Sequence, residues 1–189
     1  IQSMTTTFTS DTEKTLGQIF RLAEAGCDIV RVSVRDEEDA RAIRALKEKS
    51  PLPVVADIHF SARLAVLAIE SGADKVRINP GNIGGEEQVK LVADCIRAHR
   101  IPVRVGANTG SIEKDFLRKY GVSARSLVES ALYNVGQLEK CGVEDIVISV
   151  KASSVPLTVE AYTLLAEKTD YPLHVGVTEA GTRECGIVK

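Results

Sequence analysis

The residues able to do chemistry in this 189-residue chain are mostly cations, each set in a run that reads as a β-strand. Arg31 lies in Asp28-Ile29-Val30-Arg31-Val32-Ser33-Val34, and Arg77 in Lys75-Val76-Arg77-Ile78-Asn79. Arg104 lies in Pro102-Val103-Arg104-Val105-Gly106-Ala107-Asn108, and Lys151 follows the run from Asp145 to Val150. Strand side chains alternate between two faces, so each cation has polar company on its face while valine and isoleucine take the other. An apolar face packed on helices leaves the charged face pointing inward, and buried charge is costly unless something pairs it. A solvent-facing edge strand would look like the Lys75–Asn79 run, and any single arginine could be half of a surface ion pair. Four cations at equivalent places in successive repeats would repel one another without an anion between them. Guanidiniums grip phosphate oxygens in pairs and lysine adds a point charge, so the set suits a ligand with two phosphoryl groups.

The remaining polar groups are less specific. Asp57 either orients an arginine or contacts the ligand. His59 suits a phosphate donor, a proton shuttle or a structural histidine alike. Asn79, Asn108 and Thr178 stand at strand ends, and Glu179 is the acid best placed to exchange a proton with a ligand held by the cations. The turn Asn79-Pro80-Gly81-Asn82-Ile83-Gly84 is expected to present backbone N–H groups to phosphate. His174, in phase with Gly176 and Thr178 but deeper, reads as an interior residue.

The elements that must position these residues alternate regularly. Strands are expected at 1–4, 28–34, 53–58, 75–79, 102–108, 145–150 and 172–177. Helices are expected between them, the first opening on a capping box at Ser10-Asp11-Thr12-Glu13. A longer connection occupies 109–123, and Gly186 to Lys189 reads as the first turn of another helix. Seven strands joined through helices make a parallel sheet. The cadence is that of a (β/α)₈ TIM barrel truncated to about seven strands, whose site lies at the carboxyl ends of the strands. A doubly wound sheet ranks second because no G-x-G-x-x-G is present. One partial barrel domain, 1–189, accounts for the chain.

Composition narrows the classes. Lys+Arg 24 against Asp+Glu 26 gives a net charge of -2 and no electrostatic reason to expect nucleic acid or a membrane surface. No apolar run approaches a membrane span. Cys27, Cys95, Cys141 and Cys185 are scattered without a CxxC pair, which points to small apolar thiols, no metal site and a reducing cytoplasm.

Six motifs occur in one order: Ile1-Gln2-Ser3-Met4-Thr5, Asp28 to Ser33, Val55-Ala56-Asp57-Ile58-His59-Phe60, Arg77 to Gly84, Ser149-Val150-Lys151-Ala152-Ser153 and Thr178-Glu179-Ala180-Gly181. Together they resemble the bacterial hydroxymethylbutenyl diphosphate synthases of the methylerythritol phosphate route to isoprenoids. The resemblance implies a barrel that binds methylerythritol cyclodiphosphate and an oxidoreductase that opens it reductively. It implies a [4Fe-4S] cluster in a separate C-terminal domain, fed by ferredoxin or flavodoxin, that closes over the barrel of the partner in a homodimer. By motif, Arg31, Arg77, Asn79, Arg104, Asn108 and Lys151 become substrate ligands, and Thr178 and Glu179 lie near the reacting carbon. The family's eighth strand and cluster ligands are absent from these residues, so the chain alone is expected to bind the diphosphate without reducing it.

Two other readings fit the residues. One is a cofactor-free phosphate-binding barrel, either an aldolase with Lys151 as Schiff base or a pterin-diphosphate condensing enzyme. The other is a non-catalytic diphosphate-binding module.

Overall fold

The computed structural model describes residues 1–188. Six strands form one parallel sheet in the order β1-β2-β3-β4-β5-β6, so spatial order repeats chain order. They are β1 (Gln2–Met4), β2 (Ile29–Val34), β3 (Val54–Ile58), β4 (Lys75–Ile78), β5 (Val103–Asn108) and β6 (Ile146–Lys151). The helices are α1 (Thr12–Glu24), α2 (Glu37–Lys49), α3 (Ala62–Glu70), α4 (Glu86–His99), α5 (Lys114–Tyr120), α6 (Ala124–Lys140), α7 (Val155–Ala166) and α8 (Arg183–Val188).

Alternation does what the sequence implies. On β2 the buried residues are Val30, Val32 and Val34, and on β4 they are Val76 and Ile78. These meet Ile43 and Leu46 of α2, Ile69 of α3, Val92 and Ile96 of α4, and Leu127 and Leu138 of α6 in one core between sheet and helices. Each such side chain contributes roughly 1.5–3 kcal/mol on burial. The opposite face of the sheet is left to Arg31, Arg77, Arg104 and their neighbours.

Five expectations need correction. The segment 172–177 is not a strand. It makes one isolated bridge, Leu173 to Ile148, and its bonding to β6 stops at His174 before Thr178 N–H reaches Ala152 O at 3.3 Å. Only one side of this segment has a neighbour, Pro172 brings no N–H, and Val175 is 69% exposed, so nothing propagates the ladder. The connection 109–123 is not plain loop; it holds a 3₁₀ turn (Thr109–Ser111) and α5. The cap of α1 is Asp11, whose carboxylate accepts from Lys14 N–H, rather than Ser10. The Asn79–Gly84 turn spends its first N–H groups internally. Gly81 N–H goes to Asn134 Oδ1 at 2.8 Å and Asn79 Oδ1 at 3.1 Å, and Asn82 N–H goes to Asn79 O. The turn is thus a strut built on α6, not an open phosphate cradle. The last helix begins earlier than expected, at Arg183, and Lys189 lies outside the described residues.

Candidate functional site

Register sets the site. Asp57, Arg77 and Arg104 stand side by side on β3, β4 and β5, all on the inner face. Arg31 lies one same-face step deeper, level with Val55 and Lys75. Above them Gly106 pairs with Ser149, and Asn108 with Lys151. Neighbouring parallel strands are only about 4.8 Å apart, so these side chains must meet.

They line a cavity of about 140 Å³ walled by Arg31, Asp57, His59, Arg77, Arg104, Asn108, Ser149, Lys151 and Thr178. It opens through His59, Arg77, Asn108 and Thr178 into an outer cleft of about 470 Å³, which adds Asn79, Phe60, the Thr109–Ser111 turn and Glu179. Every residue expected to form the site therefore lines one of two contiguous spaces. Glu179 is exposed, makes no ion pair among the described residues and holds φ 51°, a left-handed conformation that costs a non-glycine residue strain.

The electrostatics are one-sided. Asp57, 2% exposed, is shared by two arginines: Arg77 Nη1 donates to its Oδ1 at 3.1 Å, and Arg31 Nε lies 3.4 Å from its Oδ2. Arg31 also donates through Nη2 to the Met4 sulfur at 3.1 Å. His59, half exposed, stands 3.8 Å from the same carboxylate and 3.5 Å from Arg77. Arg104, 2% exposed, has no carboxylate partner among the described residues; its Nη1 lies 3.0 Å from His174 Nε2. Lys151 has no ion-pair partner among the described residues.

Crowding of like charge shows in the proton affinities. Burial, then the charges of Arg104, Arg31 and Arg77, pull Lys151 down to about 8. Burial and the neighbouring Arg31 and Arg77 bring Arg104 to about 10, and burial also lowers Arg31. Burial and Arg104 lower His174 to about 4, leaving it neutral in ordinary buffers. Three buried polar atoms facing this space lack a hydrogen-bond partner: Arg31 Nε, Arg104 Nε and Ser149 Oγ. Unsatisfied buried donors are rare in folded proteins unless a ligand or water completes them.

Several further participants lie outside the residues expected to form the site. Lys75 adds a fifth inward cation, lowered by burial and by Arg104, and the alternation that marks Arg77 marks it equally. Gly106 makes room for Arg77: a Cβ there would stand 2.8 Å from Arg77 Nε. A glycine inside a strand is a sequence signal for such close approach. Ser149 and the His174 contact carried no local signal.

The four cysteines do not converge, and no group of three or more His, Cys, Asp or Glu among the described residues is placed to hold a metal. An iron–sulfur cluster does not fit the side chains present. No described helix is long and apolar enough to cross a membrane.

A family model described as the GcpE TIM-barrel domain matches residues 1–189. The chain belongs to that family. It is 57% identical to 4-hydroxy-3-methylbut-2-en-1-yl diphosphate synthase (flavodoxin) of Caldanaerobacter subterraneus subsp. tengcongensis, over all of this chain and 54% of that protein. It is 54% identical to the protein of the same name from Brevibacillus brevis, over all of this chain and 53% of the relative. The chain spans about half the length of the curated relatives it matches. Among solved structures, a truncated 3-deoxy-D-arabino-heptulosonate 7-phosphate synthase from Thermotoga maritima superposes with a TM-score of 0.66 at 14% identity, covering 93% of this chain and 62% of that one. A dihydropteroate synthase from Clostridium difficile gives 0.59 at 20% identity, covering 87% and 66%. At such identities the likeness concerns the barrel alone.

Proposed function

We propose that this chain is the substrate-binding barrel of a 4-hydroxy-3-methylbut-2-en-1-yl diphosphate synthase acting on 2-C-methyl-D-erythritol 2,4-cyclodiphosphate. The observation that carries this is the charge balance of the inner cavity. Arg31, Arg77, Arg104 and Lys151 face one carboxylate, Asp57, which two of them already share. A diphosphate supplies the missing negative charge and hydrogen-bond partners for Arg104 Nε and Ser149 Oγ, and for Arg31 Nε beyond its ion pair with Asp57. Asn108 and His59 line the passage between the two cavities and bound the ligand on its outer side, and Asn79 faces the outer cleft. Thr178 and Glu179 close the wall next to the reacting carbon, with Glu179 exchanging the proton that ring opening requires.

The barrel's own contribution is binding, orientation and exclusion of water. The [4Fe-4S] cluster implied by the resemblance, with flavodoxin as electron donor and a homodimeric, cytoplasmic enzyme around it, belongs to the rest of the protein. The parenthetical flavodoxin in the relatives' names supports that donor over ferredoxin.

Glu179→Gln in the full-length protein tests the assignment. Turnover should fall by at least about 100-fold while affinity for the cyclodiphosphate stays within about threefold. Normal turnover in that variant removes Glu179 from the chemistry.

A further inference from the structure

Arg31 and Arg77 on the one hand, and Arg104 on the other, are held by different kinds of group. The first two share Asp57, so part of their charge is cancelled before any ligand arrives. Arg104 is more deeply buried than either and, among the described residues, is met only by an imidazole, His174 Nε2 at 3.0 Å from Nη1. A guanidinium has five donors and no acceptor, so His174 Nε2 must be the acceptor and the ring must be neutral with its proton on Nδ1. The neighbouring Lys151, Arg31 and Lys75 oppose protonation of this ring as well.

The backbone fixes the imidazole even though its segment is not a strand. His174 N–H donates to Ile148 O at 2.8 Å, and the Tyr162 hydroxyl of α7, which also accepts from Val150 N–H at 3.2 Å, donates to His174 O. His174 is therefore the one point where 172–178 is tied on both its donor and acceptor sides, and its ring lies against Arg104. The Nε of the same guanidinium is buried and unpartnered.

We infer that His174 is a positioning residue for Arg104: as a neutral acceptor it aims the guanidinium at the anion site without discharging it. A carboxylate in its place would hold Arg104 equally well and cancel the charge the anion needs. The site would thus use a charged acceptor to keep two arginines compatible with each other and an uncharged one to keep the third fully cationic. This rests on the anion-site reading above.

The test uses the full-length protein with inorganic diphosphate as probe. In the ligand-free wild type, long-range ¹H–¹⁵N spectra at near-neutral pH should show His174 with a bare Nε2 and a protonated Nδ1. An imidazolium, or a proton on Nε2, overturns the inference. By calorimetry, His174→Gln keeps a neutral acceptor and should bind diphosphate within about threefold of wild type. His174→Asp should weaken binding at least about tenfold and flatten its salt dependence, because Arg104 is then neutralised. His174→Phe should weaken binding while keeping the salt dependence, since the charge remains but loses its aim. Wild-type affinity in folded His174→Asp refutes the inference. If wild type itself fails to bind diphosphate, the anion-site reading falls, and the ring tautomer still decides the His174–Arg104 contact.

Discussion

Replacing Asp57 with Asn removes the only carboxylate from a cluster of buried cations. Its oxygens lie 3.1 Å from Arg77 Nη1 and 3.4 Å from Arg31 Nε, and its side chain is 3% exposed. Breaking a buried ion pair from one side costs roughly 3–5 kcal/mol, because the stranded charge stays desolvated. Arg31 and Arg77 border a cavity of about 140 Å³ that admits water, so partial rehydration brings the cost to just below that range, ~2–3 kcal/mol. For a chain of this size that is a fall in melting temperature of ~5–10 °C. An anion should then take over Asp57's role. Inorganic diphosphate at about 100 times its Kd adds ~2.7 kcal/mol to any protein that binds it only when folded. The variant should gain more than wild type, since its arginines are uncompensated and the carboxylate no longer repels the ligand. Thermal melts with and without diphosphate check this: a lower midpoint without the anion, and a gap that narrows by about half with it. Equal midpoints without anion would mean that Asp57 does not hold the cluster together. A gap unchanged by diphosphate would mean that the cluster is not its binding site.

Other changes probe single parts of the same geometry. Gly106→Ala puts a Cβ 2.8 Å from Arg77 Nε; the fold should tolerate it at under about 1.5 kcal/mol while diphosphate affinity drops at least about fivefold, and unchanged affinity would place Arg77 outside the site. Lys151, drawn to about 8, should be reductively labelled by pyridoxal phosphate and borohydride with a pH midpoint near that value, the unprotonated amine gaining as pH rises; bound diphosphate should suppress labelling, and a midpoint near that of free lysine would refute the crowding argument. Asn134→Ala strips acceptors and donors from Gly81 N–H, Glu113 and Ser130 O at once; it should cost ~1–3 kcal/mol and speed amide exchange at Gly81, and no change at Gly81 would deny the strut.

The strand phase was legible because it depends on a period of two and little else. Arg31, Arg77 and Arg104 each sit between valines or isoleucines that must face helices, and that alone directs them to one interior. α2, α3 and α4 fall between the strands as expected, and the structure bounds them at Asp36 and Ser50, Ser61 and Ser71, Gly85 and Arg100. Depth was not legible. Arg104 is the second residue of β5, yet the sheet's register brings it level with Arg77, near the end of β4. Stagger between strands is a property of pairing, so no single strand announces it. The seventh strand failed for a similar reason: its residues have strand character, but a strand exists only where a neighbour supplies ladder bonds on successive residues. The role of Asp57 needed distances, since a carboxylate that orients arginines and one that meets a ligand have the same sequence signature. Family membership settles against the aldolase and pterin readings, which strand phase alone left open.

Because spatial strand order follows chain order, the site's charges come together in a set succession as the sheet grows. Arg31 arrives on β2, then Asp57 on β3, then Arg77, Arg104 and Lys151 on the next three strands. The carboxylate is in place before any second guanidinium docks. β4 then adds two positive charges, Lys75 and Arg77, and β5 and β6 add one each; the last of them is followed by the segment that carries the neutral acceptor. All pairings join strands that are neighbours in the chain, so loop closures stay short and the nascent polypeptide can build the cluster from its first strand onward. In chain order, most of the charge whose repulsion makes the finished pocket hungry for an anion thus comes after Asp57 and after the apolar strands β2 and β3.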